Sequence, residues 1–443
     1  MPRRESQGPV RMERVALVVP EQDRQRMLVE VARSGAVELD LPYAPGSGAE
    51  ELEKAAAAAI VSGPSAALAG WMPRHAISAL AAAIAPLGGA VVPLSRPRWI
   101  QPPTMLDGGA RVSRTLVDTY GTVPYADLDP SRLAGFAYVL MFGMMFGDVG
   151  HGAILLVAGL LLRSGRIKVL AKLQRSWLFV WAAGLAAMVF GALYGEAFGP
   201  TGLVPVLWLD PLANPVPLLV AGLGVGAFLL AGAYAMGTIN RVREGGWGYA
   251  LYARSGVAGS LLFLAVGLLV WGLGTGTGVL ILAAAVIALG ALVFIFIGLF
   301  IEAGGGATAI FQAVIELVDT VIRLGSNLVS FARLAAFGLT HAALLMVVWN
   351  GTTALWAPDW RAAAAILLFL VGNIVTFGLE ALVAGIQALR LEYYELFSRI
   401  FQSEGRPFRP WSPDLSPTAS SITAGQPTAE PAIHSIPAER QLP

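Results

Sequence analysis

The sequence predicts an all-α polytopic membrane protein of about eight transmembrane helices, the last two long and tilted, with a small amino-terminal α/β domain. Three observations predict it. The 443 residues are 56% hydrophobic and only 13% charged, whereas a soluble domain carries about 25% charged residues. From about Leu133 onward, apolar stretches follow one another at lengths near the roughly 20 residues that cross a bilayer. The charge is also uneven: residues 1–54 and 388–409 hold much of it, and the middle is poor in it.

Residues 1–93 read as the α/β domain. RVALVV (14–19) is a strand-like run, EQDRQRMLVEVARSG (21–35) has helical periodicity closed by glycine, and AVELDL (36–41) resumes alternation. A second strand–helix–strand unit follows in SAALAGWM (65–72), a helix from Pro73 to about Leu87, and GGAVVPL (88–94). Proline is favoured in a first helical turn. Between the units, EELEKAAAAAIV (50–61) reads as one more helix. Residues 94–130, rich in Pro and Gly, read as a linker. The first 20 residues lack the apolar core of a signal peptide, so the amino terminus is expected to stay cytoplasmic.

The membrane part, 131–403, divides into candidate spans at 132–149, 151–162, 176–198, 215–238, 251–273, 278–301, 325–350 and 361–400. The bias of Lys and Arg toward cytoplasmic loops orients them. Loop 163–175 has five basic residues and no acid, and 239–254 adds Arg241, Arg243 and Arg254; loops 200–214, 274–277 and 351–360 have none. The basic loops are therefore expected in the cytoplasm. An even number of crossings must then precede 163–175, which a hairpin turning near GDVGHG (147–152) satisfies. The count ends with a cytoplasmic carboxyl end, where 404–443, rich in Pro, Ser and Thr, reads as a disordered tail.

Several chemistries are excluded. There is no cysteine, hence no disulfide or thiolate site. The four histidines are too scattered for a metal-spacing motif. No GxxxxGK[ST] loop occurs, no cofactor is indicated, and the net charge of +1 with no basic patch gives no nucleic-acid signal. GLGVGA (222–227) lies inside an apolar span, where small residues let helices approach.

The chemistry sits in the last two spans. Arg333 lies inside the seventh, where an ionised group costs at least about 2.5–3.5 kcal/mol by insertion scales. Arginine does not escape by deprotonating, so it needs a carboxylate or a water-filled cavity, unless it snorkels to the surface. At 100° per residue, Ser326, Arg333 and Thr340 share a face, with Ser330 and His341 at its edges. In the eighth span Glu380 lies near mid-membrane, Gln387 shares its face, and Arg390 follows three residues later. A desolvated glutamate can hold and release a proton; the alternative is a structural Glu–Arg lock. Asp148, His151 and Glu196 stand near the outer ends of their spans, with a turn or cap role favoured over a secondary path.

MFGMMFGDVGHG (141–152), GALYGEAFG (191–199), SNLVSFARLAAFGLTHAAL (326–344), GLEALVAGIQALRLEYYELFSRIF (378–401) and GRPFRPW (405–411) resemble the hallmark segments of the V-type ATPase membrane stator, called subunit a, or subunit I in bacteria and archaea. The resemblance runs through nearly the whole membrane part. It implies a non-catalytic, ion-translocating subunit in the lipid bilayer. Two aqueous half-channels would face a rotating proteolipid ring, and hydrolysis would belong to other subunits of the ATPase. By the same resemblance Arg333 faces the ring and favours its ionised carboxylate, Arg390 is the second arginine, and Glu380, His341 and Gln387 line the path. The amino-terminal segments RMERVALVVPEQDRQRMLVEVARSGAVELD and LAGWMPRHAISALAAAI resemble the family's lobe nearer the membrane. Its coiled arm and far lobe, which grip the peripheral stalks, are not matched, and stalk contact is left open.

The expected function is thus a proton-translocating stator with a shortened cytoplasmic arm. Two other readings use the same residues. A secondary transporter would bind a substrate or coupling ion at Arg333 and Glu380 and predicts inverted repeats, of which none is visible between the halves. A stator-derived scaffold would not need Arg333, Glu380 and Arg390 together.

Overall fold

In the computed structural model the described residues are 9–41, 48–95, 100–106, 112–165, 173–401 and 405–413. They form two compact units, one built on the described residues of Val10–Pro103 with 407–413, the other on those of Thr104–Arg406.

The first unit is an antiparallel sheet carrying helices. Its elements are β1 (Met12–Pro20), α1 (Arg24–Ser34), β2 (Glu38–Leu39), α2 (Gly48–Ala57), β3 (Ile60–Ser62), β4 (Ser65–Pro73), α3 (Ile77–Ile84) and β5 (Ala90–Pro93). The strand order is β2-β4-β1-β5, with β1 and β4 paired from Met12↔Pro73 to Pro20↔Ser65. Two strand–helix–strand units interleaved in this order make a split βαβ sandwich. Alternation along β1 sends Val15, Leu17 and Val19 inward, against Met27, Leu28 and Val31 of α1 and Leu80 and Ile84 of α3. Helix α1 ends where Gly35 takes φ 54°, the left-handed cap that glycine adopts at least cost.

Two expectations are corrected in this unit. Ile60 and Val61, read as the end of a helix, belong to β3, which turns back through Gly63 (φ 57°) to pair Ile60↔Ala67; β-branched residues before a Gly-Pro turn favour a hairpin. The tail is not structureless from 404 onward. Trp411 packs on the domain core, its backbone N–H donates to the Val37 carbonyl at 2.7 Å, and the Arg409 backbone N–H donates to Glu38 Oε2 at 2.8 Å. An indole offers enough apolar area to fix a short segment. The remainder of the predicted tail, 414–443, lies outside the described residues.

The second unit is helical: α4 (Val112–Tyr120), α5 (Ser131–Met145), α6 (Val149–Ser164), α7 (Trp177–Tyr194), α8 (Pro215–Tyr252), α9 (Val257–Thr275), α10 (Gly278–Glu302), α11 (Ala307–Ser330), α12 (Ala332–Leu355) and α13 (Trp360–Leu391). A π-helical stretch, Glu392–Phe397, and the short α14 (Ser398–Ile400) follow. Among the described residues, six stretches are long and apolar enough to cross a membrane, and α5 and α6 are shorter apolar helices. This is a polytopic membrane protein with a small α/β amino-terminal domain. On α10, Val279, Leu282, Val286, Leu289 and Val293 are exposed while Ala284, Ala291 and Ile295 are buried, a lipid-facing stripe at helical spacing.

The α5–α6 reversal has the predicted form with one addition. Tyr138 of α5 meets Phe179 of α7, and Gly143 faces Ala186, so α5 runs parallel to α7. Gly159 of α6 faces Trp181, and Gly152 faces Gly184 and Met188, so α6 runs antiparallel to it. The limbs therefore point in opposite directions, and α7 packs along both. Glycine is required at 152, where a Cβ would lie 2.6 Å from the Met188 nitrogen. Gly226 of the GLGVGA run likewise admits Phe331, the residue just before α12, whose side chain a Cβ would meet at 2.2 Å.

Three further boundaries move. The linker contains α4, whose Val117 joins the membrane unit's core. Loop 239–254 is helical, because α8 continues past a break at Gly246 (φ 79°) to Tyr252, and Arg241 is buried beside Glu244. The other basic loop, 163–175, lies largely outside the described residues. The seventh span begins at Ala332, after a separate helix, α11. That helix is amphipathic: Ala309, Ala313, Thr320 and Leu324 turn inward, Glu316 pairs with Arg254 at 3.2 Å and Asp319 with Arg323 at 2.6 Å. Those charges interrupt the apolar run and hide the helix from a hydropathy reading.

Asp127, just before α5, is fully buried. Burial, with Glu244 beside it, pushes its carboxyl up to about 7. A carboxyl that keeps its proton in the folded state while the unfolded chain has lost it makes stability fall as pH rises through the interval between the two values. Stability of the wild type should therefore decline from about pH 4 to 7. Asp127→Asn should remove that decline, unfolding later than wild type at pH 8 and with little difference at pH 4, as read by thermal unfolding in detergent.

Candidate functional site

Two groups of polar side chains meet inside the helical unit. The first borders an open cleft of about 740 Å³ lined by α8, α11 and α12, including Leu218, Leu219, Ser326, Val329, Ser330 and Arg333. Arg333 is the second residue of α12, half-buried at the cleft wall. It sits where the break at Phe331 separates α11 from α12, and Phe331 itself is buried against Gly226. The Ser330 hydroxyl donates to the Ser326 carbonyl at 2.9 Å. Arg390, exposed on α13, and Glu395 of the π-helical stretch act electrostatically on Arg333. Glu395 also feels Arg399. A π-turn displaces side chains from α-helical register and is common at functional positions; here it turns Glu392 and Glu395 inward.

The second group is largely buried. His341 of α12 joins Glu380 of α13 through Nδ1 and the carboxylate Oε2. His341 is 1% exposed and His151 0%, and their rings lie 5.6 Å apart. Asp148 caps α6, its Oδ1 accepting from the His151 N–H at 2.8 Å. Its Oδ2 accepts from the Gly199 N–H at 3.0 Å. Asn373 completes the set: its Nδ2 donates to the Phe369 carbonyl at 2.9 Å, which directs Oδ1 at His151 Nε2, 3.1 Å away. Phe146 and Phe377 pack against the His151 ring.

The predicted residues thus divide. Arg333 and Ser330 share the cleft, with Arg390 nearby. His341, which the helical projection put at the edge of the Arg333 face, turns inward to Glu380. Thr340 is exposed and its hydroxyl donates to Ala336. Gln387 is half-buried with Oε1 enclosed. Asp148 has the cap role expected of it, and His151 belongs to the buried group. Glu196 is buried, and its carbonyl accepts from the Val149 N–H at 2.9 Å, tying the end of α7 to the start of α6. Sequence reasoning missed Asn373 and Glu395. A lone amide within an apolar span, seven residues before Glu380, was the available signal for the first.

A family model described as the V-type ATPase 116kDa subunit family matches residues 65–201. The chain is 27% identical over 368 residues to the A-type ATP synthase subunit I of Thermococcus kodakarensis, covering 78% of this chain and 54% of that protein. It is 28% identical over 349 residues to the same-named protein of Aeropyrum pernix, covering 67% and 49%. It is 33% identical over 169 residues to V-type ATP synthase subunit I 2 of Treponema pallidum, covering 35% and 36%. The chain spans about half the length of the archaeal relatives it matches. The matched region holds the glycine-packed α5–α7 core together with Asp148 and His151, while Arg333, His341, Asn373 and Glu380 lie beyond it, and by these comparisons the chain is similar to the V-type ATPase 116kDa subunit family and to curated subunit I proteins of A-type ATP synthases.

Proposed function

We propose that this chain is the stationary membrane subunit of a rotary V-type ATPase and carries protons to and from the carboxylates of a proteolipid ring. The observation that carries the reading is the division of labour between α12 and α13. A permanently charged Arg333 stands at an open cleft, and a His–Glu pair that can exchange a proton is buried on the same two helices. A guanidinium keeps its charge at any working pH, so it favours the ionised ring carboxylate and opposes direct leakage between half-channels. His341 and Glu380 supply a relay of groups whose protonation can change. Arg390 and Gln387 extend the polar path along α13. The subunit itself performs no hydrolysis. Its partners are the proteolipid ring and other subunits of the complex, with peripheral-stalk contact left open because the coiled arm is not matched. Loop 163–175 and both termini lie in the cytoplasm, consistent with the basic character of that loop.

Cysteine mapping tests the placement, since the chain has none of its own. Val329 is 65% exposed and lines the cleft beside Arg333. In an assembled complex, Val329→Cys should cross-link to a cysteine near the ring carboxylate, and ATP turnover should spread the link over successive ring subunits. In intact cells, Leu203→Cys should react with an impermeant thiol reagent and Arg175→Cys should not. Absence of any ring cross-link at Val329, or strong labelling of Arg175→Cys, contradicts the proposal.

A further inference from the structure

We infer that Asp148, His151 and His341 form a binding site for one divalent transition-metal ion of zinc-like ligand preference. Each offers one ligand atom, and these atoms lie within 4.8 Å of one another. Ligand atoms about 2.0–2.2 Å from a tetrahedral zinc stand roughly 3.4 Å apart, so modest side-chain adjustment closes the shell.

The hydrogen bonds decide which atoms are presented. The Asn373 amide is oriented by its bond to the Phe369 carbonyl, so its Oδ1 accepts from His151 Nε2–H. In a neutral imidazole the other nitrogen, Nδ1, then carries a lone pair. His341 donates Nδ1–H to Glu380, which leaves the lone pair on Nε2. His151 Nδ1 and His341 Nε2 are buried and have no hydrogen-bond partner among the described residues. Metal-binding histidines commonly have this arrangement, one nitrogen free and the other held by a carboxylate or amide oxygen. Backbone N–H groups of His151 and Gly199 fix the Asp148 carboxylate. Two imidazoles and one carboxylate favour zinc, cobalt or nickel over magnesium or calcium, which prefer all-oxygen shells. A fourth position remains for water. The histidines are far apart in the chain, so spacing rules do not reveal the site; the fold assembles it from the α6 cap and α12. The site shares His341 with the proposed ion path but rests on geometry alone, so metal binding and proton transport can fail separately.

The test is titration of the chelator-washed full chain in detergent with Co2+ and Zn2+. One equivalent should bind, Co2+ should give the visible absorption of a low-coordinate nitrogen–oxygen site, and zinc K-edge absorption should count two imidazoles. His151→Gln should weaken binding at least a hundredfold, and Asn373→Leu by about 10–100-fold, as losses of the outer hydrogen bond generally do. The double variant His75→Gln, His434→Gln, which removes the chain's other histidines, should bind as wild type does. No bound cation in the wild-type chain, or a zinc spectrum without imidazole, overturns the inference whatever the variants do. So does undiminished binding by a His151→Gln protein that elutes as wild type.

Discussion

Glu380→Gln should reduce ATP-driven proton uptake at least tenfold while the complex still assembles. The substitution keeps the size of the side chain and an oxygen to accept from His341 Nδ1–H, so the α12–α13 contact survives. What it removes is the capacity to take up and release a proton, since an amide does not titrate in this range. A purely structural Glu–His or Glu–Arg lock predicts a different pattern. The lock would be weakened, because a charge-assisted hydrogen bond becomes a neutral one, yet transport per assembled complex would stay near wild type. Proton uptake normalised to assembled subunit separates the two, and full-rate uptake by Glu380→Gln removes Glu380 from the relay.

The parts of the fold that rest on local pattern were legible in the sequence. The alternation of RVALVV and the glycine-closed helix after it correspond to β1 and α1, and the basic loops together with GDVGHG led to the α5–α6 reversal. Elements whose local signal is mixed were not legible. Helix α11 carries Glu316, Asp319 and Arg323 on one side of an apolar helix, so a hydropathy window merges it with neighbouring loops. Helix α8 continues beyond the membrane stretch because nothing before Gly246 stops it. At the site, ionisable residues within apolar spans were recognised one by one, because burying each is costly. Their grouping was not legible, since it depends on which helices pack against each side of α12, and a single-helix projection does not contain that. His341, roughly 80° around α12 from Arg333, faces His151 rather than the Arg333 cleft. Asn373 is uncharged and passed unnoticed in an apolar run, although its amide orients His151.

Arg333 carries the largest expected effect. Both Arg333→Ala and Arg333→Lys should abolish ATP-driven proton uptake while the subunit still inserts. Arg333→Ala removes an intramembrane charge, which lowers the insertion cost by about 2.5–3.5 kcal/mol on insertion scales, and Arg333→Lys leaves that cost about unchanged. Lysine preserves formal charge but not function. Its ammonium is a compact charge without the planar fork, and in a cleft walled by Leu218, Leu219, Val329 and Leu339 it can lose its proton to escape desolvation. Neighbouring Arg390 adds to the tendency of a lysine to neutralise. An arginine that merely snorkels predicts the opposite, since lysine reaches the membrane surface equally well. The most direct test of an ion path gated by Arg333 is therefore proton uptake by reconstituted complexes carrying Arg333→Lys, normalised to assembled subunit. The account predicts uptake at background level, as for Arg333→Ala; uptake close to wild type by Arg333→Lys would contradict it.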